Sequence, residues 1–354
     1  MRKVIIGVLA CVLGLPLSGC STIGYYSQAV GGHFKLMRAR QPIKELLADK
    51  DTAPELREQL QTLVDARDFA AKQLLLPDND SYSTYVQTGR RAVTWNVVAA
   101  EEFSVQPKTW CFPIAGCVSY RGYFDRADAD AYANTLAEQS YDVTVGGASA
   151  YSTLGWFEDP VLDTMLRGGD IRYVGTLFHE LAHQLLYVKD DSNFNEAYAT
   201  FVEQVGVRRW LVHRDQAERI PAYDAHLRRI EDFVALLKRT RGALQALFSQ
   251  DINDETMRDM KQEVFATMRE EYEALKQSWG GFAGYDNWFK RELNNARLVA
   301  VSTYRRNVPA FQAMYEEAGE ELDRFYEIAR EVSQLPYEER QARLNEYLQA
   351  SELL

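Results

Sequence analysis

The 354-residue chain is poor in the side chains on which site chemistry most often rests, with five histidines and four cysteines. It has no surplus of positive charge either. Forty Lys and Arg stand against 51 Asp and Glu, for a formal net charge of -11. That balance removes the basic stripe a general nucleic-acid binder needs to displace counterions. Ten prolines and 21 glycines are too few for collagen-like or low-complexity chains, and 46% hydrophobic residues are too many for extended disorder. After residue 20 no apolar run reaches the roughly 20 residues of a membrane-spanning helix. A folded body is therefore expected, with unusual residues only at its start and in one short stretch near the middle.

The start sets the expected compartment. Arg2 and Lys3 precede the uncharged apolar stretch Val4–Leu17, which has the length of a signal-peptide core and is short for a membrane span. Leu17-Ser18-Gly19-Cys20 resembles a bacterial lipobox. That resemblance implies cleavage before Cys20, lipidation of its thiol, and a soluble body tethered by acyl chains. Ser21 rather than Asp at the next position implies the outer membrane, with the body facing the periplasm. Of the other cysteines, Cys11 leaves with the signal. Cys111 and Cys117 remain, and in an oxidising compartment a disulfide closing that short loop is expected.

The rest reads as α+β with a helical majority. Residues 1–19 form the signal and 20–32 a lipidated tether. Residues 33–80 carry Leu at helical spacing and read as two helices broken near Asp51–Pro54. Residues 82–124 are rich in Tyr, Val, Thr and Trp and read as a small mixed sheet. Asp125 caps a helix over about 126–139, a strand follows at Asp142–Val145, and residues 148–155 read as another strand. After Pro160 the pattern is helical, so 81–206 reads as the catalytic core and 207–354 as a long helical C-terminal region with solvated charged faces.

The informative stretch is residues 168–206, which contains His179-Glu180-Leu181-Ala182-His183. Histidines at i and i+4 of a helix lie one turn apart on one face and can hold one ion. Zn²⁺ in such a site brings a water's pKa from ~15.7 toward ~7. Glu180 beside that face is placed to act as general base on the water and then as proton donor to the leaving amine. Asp170, after two glycines, is the expected N-cap of this helix. The turn Lys189–Asn193 ends it, and Asn195-Glu196-Ala197-Tyr198-Ala199 opens a second helix. In an antiparallel helical hairpin His183 and Glu196 face each other, giving a His₂Glu site with one position open to water. Glu203, seven residues on and on the same face, is the alternative third ligand. With Glu196 as ligand, Thr200 or Glu203 is expected to accept a hydrogen bond from a ligating imidazole.

These residues resemble the gluzincin metallopeptidases, thermolysin and metallo-aminopeptidases among them, whose second helix carries Asn-Glu-x-x-Ala. Twelve residues separate His183 from Glu196, fewer than in thermolysin. The segments 110–124, 150–162, 178–203 and 294–304 resemble a bacterial family described as zinc aminopeptidases carried as lipoproteins. The resemblance implies a zincin-like catalytic core, one Zn²⁺ and a peptide substrate. It also implies strand addition of that peptide to an edge strand upstream of the histidines, for which Gly147, Ala148, Ser149, Ala150 and Tyr151 are the candidates. It further implies a Tyr or His donor for the oxyanion, with Tyr304 the first choice and Tyr198 and Tyr187 behind it. Glu158 or Asp159 is a candidate to hold a free α-amino group. Asn294 and Asn295 are candidates to contact the peptide main chain or to cap a helix. A metallo-endopeptidase of the envelope has the same chemistry in a different groove. A non-catalytic metal-binding scaffold would not need Glu180. The residues identify no protein partner.

Overall fold

The computed structural model describes residues 18–112, 116–150, 152–153, 157–302 and 307–352. Helix α1 (Ser18–Arg38) is continuous through the segment expected as a tether. Its inner face is not free: the Gln28 side chain donates to the Gly122 carbonyl and accepts from the Phe124 amide. Tyr25 packs edge-on to Tyr123 and beneath the Arg121 guanidinium. A Gly-Ser composition suggested a tether, and these tertiary contacts overrode it. The short strand β1 (Gln41–Pro42) leads into α2 (Ile43–Ala48) and α3 (Pro54–Gln73), with the expected break between them. Pro54 begins α3 in the first turn, where an amide hydrogen has no intrahelical acceptor. Leu60, Leu63, Ala66, Phe69 and Ala70 make its buried stripe.

The strands form three small sheets. In the first, β1 and β8 (Val161–Leu162) flank β2 (Thr84–Val86), with one antiparallel and one parallel pairing. In the second, β3 (Thr94–Glu101) lies between β6 (Arg121–Tyr123) and β7 (Tyr141–Ala148), all antiparallel. The third is the hairpin of β4 (Trp110–Phe112) and β5 (Gly116–Val118), in which Cys111 and Cys117 are opposite one another and disulfide-bonded.

Strand β3 is buried on both faces. Val97 and Ala99 pack on helix α4 (Arg126–Ala137) through Ala129, Ala133 and Leu136. The alternate residues, Val98 and Ala100, pack on Val299. Asp125 caps α4 as its position implied, accepting from the Ala127 amide. Strand β7 ends at Ala148, so the expected strand over 148–155 does not form among its described residues.

The remainder is helical: α5 (Asp170–Leu185), α6 (Ser192–His213), α7 (Ile220–Phe248), α8 (Asp254–Ser278), α9 (Asp286–Phe289), α10 (Asn295–Ser302), α11 (Val308–Glu317), α12 (Leu322–Gln334) and α13 (Tyr337–Glu352). These helices serve two cores. Phe311, Phe325 and Tyr326 from α11 and α12 surround Tyr198 and Phe201 of α6, extending the main core. Helices α7 and α8 close a separate cluster with Phe233, Leu236, Phe265, Met268 and Tyr272.

One contact ties the C-terminal helices to the start of α6. Asp191 caps α6, its carboxylate accepting from the Phe194 amide. Its other oxygen takes the Arg340 guanidinium of α13 at 2.8 Å, with both side chains buried. Removing one partner leaves a charge buried without its counter-charge. Arg340→Met is therefore expected to destabilise the fold by about 3–5 kcal/mol, read as a lowered urea midpoint with an unchanged slope.

Candidate metal centre

Helix α5 starts at Asp170, but the cap is Gly169, whose φ of 94° suits glycine. Asp170 instead pairs with Arg219 at 2.6 Å, which holds its carboxyl below the usual range. Val174, Leu177, Phe178 and Leu181 bury one side of α5 in the main core. The hairpin to α6 is closed by Asn195. Its side chain donates to the Val188 carbonyl and accepts from the Val188 amide, both at 2.7 Å, while being almost fully buried. The loop is also braced from the sheet side, where the Cys117 amide donates to the Asp190 carboxylate at 2.9 Å. A Cβ at Gly116 would stand 2.0 Å from that carboxylate and displace it, and the φ of 73° there also favours glycine.

With the hairpin fixed, three donors converge. The Nε2 atoms of His179 and His183 lie 3.1 Å apart. Glu196 reaches both, Oε2 at 3.4 Å from His179 and Oε1 at 3.7 Å from His183. One ligand atom from each residue falls within 4.8 Å of the others, the only such group of three among the described residues. On the far side of the ring, His179 Nδ1 is 3.3 Å from the Glu203 carboxylate. Glu203 thus faces the Nδ1 side of His179, while Glu196 groups with the two Nε2 atoms. Gly175 gives Glu203 room to do this, since a Cβ there would meet the carboxylate at 3.0 Å. Thr200 is buried beside this group, lining a cavity with His179 and Glu196, and makes no hydrogen bond to an imidazole among the described residues.

The charges suit a cation. Burial, with the neighbouring His179, holds His183 down at about 4, so it is neutral at pH 7. Burial also opposes a charge on His179, but the Glu196 and Glu203 carboxylates outweigh it and raise its pKa to about 10. Glu196 is lowered: burial opposes ionisation, and the imidazoles overcome it. Glu180 is raised to about 7, by burial first and with Glu196 adding, while His179 and a hydrogen bond from Ser152 act against the rise. Two imidazole nitrogens and a carboxylate oxygen are a donor set that fits Zn²⁺.

Around this centre the expected residues divide. Gly147 and Ala148 lie on β7, an edge strand; Ser149 and Ala150 fall beyond its end, and Tyr151 and Tyr304 lie outside the described residues. Tyr198 is a core residue with no surface exposure, stacked among Phe194, Phe311 and Phe325, so it is no candidate donor. Tyr187 does approach the site, its ring 6.3 Å from that of His183. Asp159 is fully buried and accepts from the Thr153 amide at 2.7 Å and from the Thr153 and Ser152 hydroxyls. It anchors the segment carrying Ser152 against Glu180 and is not free to hold an amine. Glu158 is exposed and pairs with Arg40. Asn294 donates to the Val143 carbonyl and accepts from the Arg297 amide, while Asn295 donates to the Glu101 and Glu102 carbonyls. Both are structural ties.

Sequence reasoning missed Tyr120. Burial, then the carboxylates of Glu196 and Glu180, raise its hydroxyl to about 12. No local pattern marks it among 20 tyrosines.

The candidate metal centre opens into a cavity of about 600 Å³. Its other walls are mostly apolar, from Ile230, Phe233 and Val234 of α7, Phe282 and Tyr285 after α8, and Val301 of α10, with His226 of α7 the polar exception. The C-terminal region thus supplies a cavity wall. Among the described residues no helix is long and apolar enough to cross a membrane.

Over residues 24–344 the chain matches the model of a family described as "Putative aminopeptidase", and it belongs to that family. No curated protein and no solved structure matches it.

The protonation pattern predicts how a metal enters. Between pH ~5 and ~6, below the ~7 at which a zinc-bound water ionises, His183 is already neutral and His179 still carries its proton, so loading one Zn²⁺ should release about one proton. Because the ion replaces that proton, affinity should rise about tenfold per pH unit over this range. Calorimetry in buffers of different ionisation enthalpy measures both, and a proton count near zero would contradict the assignment.

Proposed function

We propose that this member of the aminopeptidase family is a zinc-dependent aminopeptidase, anchored by a lipidated Cys20 to the outer membrane and facing the periplasm. Convergence of the His179 and His183 Nε2 atoms on the Glu196 carboxylate, with Glu203 behind His179, carries the metallopeptidase reading. The family supports the exopeptidase part. The lipobox at Leu17–Cys20 and the disulfide between Cys111 and Cys117 support the compartment.

Zinc supplies Lewis acidity and water ionisable at neutral pH. The remaining work falls to the chain. Glu180, half-buried and with a pKa of about 7, accepts the proton of the attacking water and returns it to the departing amine. Ser152, anchored by Asp159, fixes the Glu180 carboxyl. Tyr120 stays protonated through neutral pH and donates to the developing oxyanion. The free edge of β7 at Gly146–Ala148 takes the peptide backbone by strand addition. The first side chain enters the apolar cavity beside the metal.

Glu180→Gln should keep its zinc and lose kcat by about 10²–10⁴-fold, whereas His179→Ala should lose the metal itself. Metal analysis with aminoacyl reporter substrates measures both. Turnover by Glu180→Gln at the wild-type rate would remove the base assignment. Cleavage confined to N-blocked internal peptides would make the enzyme an endopeptidase.

A further inference from the structure

Three basic side chains are buried among the described residues: Lys261, Arg297 and Arg340. Two have counter-charges. Lys261 pairs with Asp142 at 2.7 Å and Arg340 with Asp191 at 2.8 Å. Arg297, only 7% exposed, has none. Its guanidinium lies over the Trp288 ring, 4.6 Å from the centroid, and one nitrogen donates to the Trp288 carbonyl. Its Nε is buried with no acceptor. The charges that act on it are like charges, Arg291 and Arg269, which add to burial in pushing its pKa down. A buried guanidinium among cations in a chain of net charge -11 is costly unless an anion completes it.

The position says where the anion comes from. Arg297 and Arg291 line a cavity of about 280 Å³, whose other walls include Tyr120 and the Gly146–Ala148 edge of β7. Ala300 and Val301 line both this cavity and the one at the metal centre. A peptide seated on β7 with its scissile end at the proposed metal site would lie beside the two arginines. The planar guanidinium fork matches a carboxylate.

We propose that Arg297 and Arg291 form a carboxylate-binding subsite for the peptide substrate, which makes short peptides carrying a free C-terminal or side-chain carboxylate the preferred class. The subsite rests on the peptidase reading for its substrate but not for its charge.

Binding to the zinc-loaded full chain carrying Glu180→Gln tests it without turnover. Calorimetry would compare Phe-Ala-Ala-Ala as the free acid, the same peptide as its amide, and Phe-Ala-Glu-Ala as its amide. At least one carboxylate-bearing peptide should bind about tenfold or more tightly than the carboxylate-free amide. An advantage for the first assigns the C-terminus, and one for the third assigns a side chain. The advantage should vanish in Arg297→Gln and shrink in Arg291→Gln. The second is an exposed position that decides the matter if the first fails to fold. Equal binding of all three peptides, no binding of any, or an advantage untouched by both substitutions overturns the subsite. Carboxylate discrimination in a wild-type chain that hydrolyses no peptide would keep the subsite and remove the peptidase. Hydrolysis without discrimination would do the reverse.

Discussion

Bringing two imidazole nitrogens and a carboxylate within a few ångströms is unfavourable unless the backbone holds them there. Here that constraint is met by one helical hairpin. His179 and His183 project from α5 one turn apart, and Glu196 projects from the second turn of α6. The loop between them decides whether they meet. Asn195 satisfies both polar groups of Val188, and Asp191 caps the helix that carries Glu196. Arg340, from the last helix of the chain, neutralises that cap, and the disulfide-closed hairpin rests on the neighbouring Asp190. The Asn of the Asn-Glu pair is thus a loop fastener, and the Glu it delivers is the proposed ligand.

The electrostatics follow from that arrangement. Two carboxylates, Glu196 and Glu203, flank the His179 ring on opposite nitrogens, so an ion at Nε2 meets an imidazole whose other nitrogen is already oriented. His183 is kept neutral by burial and offers a free electron pair. Glu180 lies outside this set, and its raised pKa comes mainly from desolvation, the usual way a carboxyl is tuned to exchange protons near neutrality. The second, carboxylate-free cluster at Arg297 is the electrostatic opposite of the metal centre, and the two cavities share the Ala300–Val301 wall.

Short-range chemistry was legible in the sequence. The i, i+4 histidines and the Asn-Glu signature after a turn named the three residues that the fold brings together, and the helical majority followed from periodicity. The Asp125 cap, the α2–α3 break and the Cys111–Cys117 pairing are equally local. Long-range pairing was not legible. Arg340 is 149 residues from Asp191, and nothing in Glu-Glu-Arg-Gln marks it as a buried counter-ion. Asp170 looked like a cap because its partner Arg219 is 49 residues away. Asp159 looked available to a substrate amine, although tertiary folding buries it against Thr153. Residues 20–32 looked like a tether because docking through Tyr25 and Gln28 involves residues about a hundred positions on.

The central claim is a division of labour between two glutamates on one face of α6, and metal affinity separates them. Titration of zinc against a competing chelator should show Glu196→Ala losing stoichiometric binding at neutral pH. Glu203→Ala should still bind one ion, weakened about 10–100-fold. The reverse order, with Glu203→Ala abolishing binding and Glu196→Ala retaining it, would contradict the account.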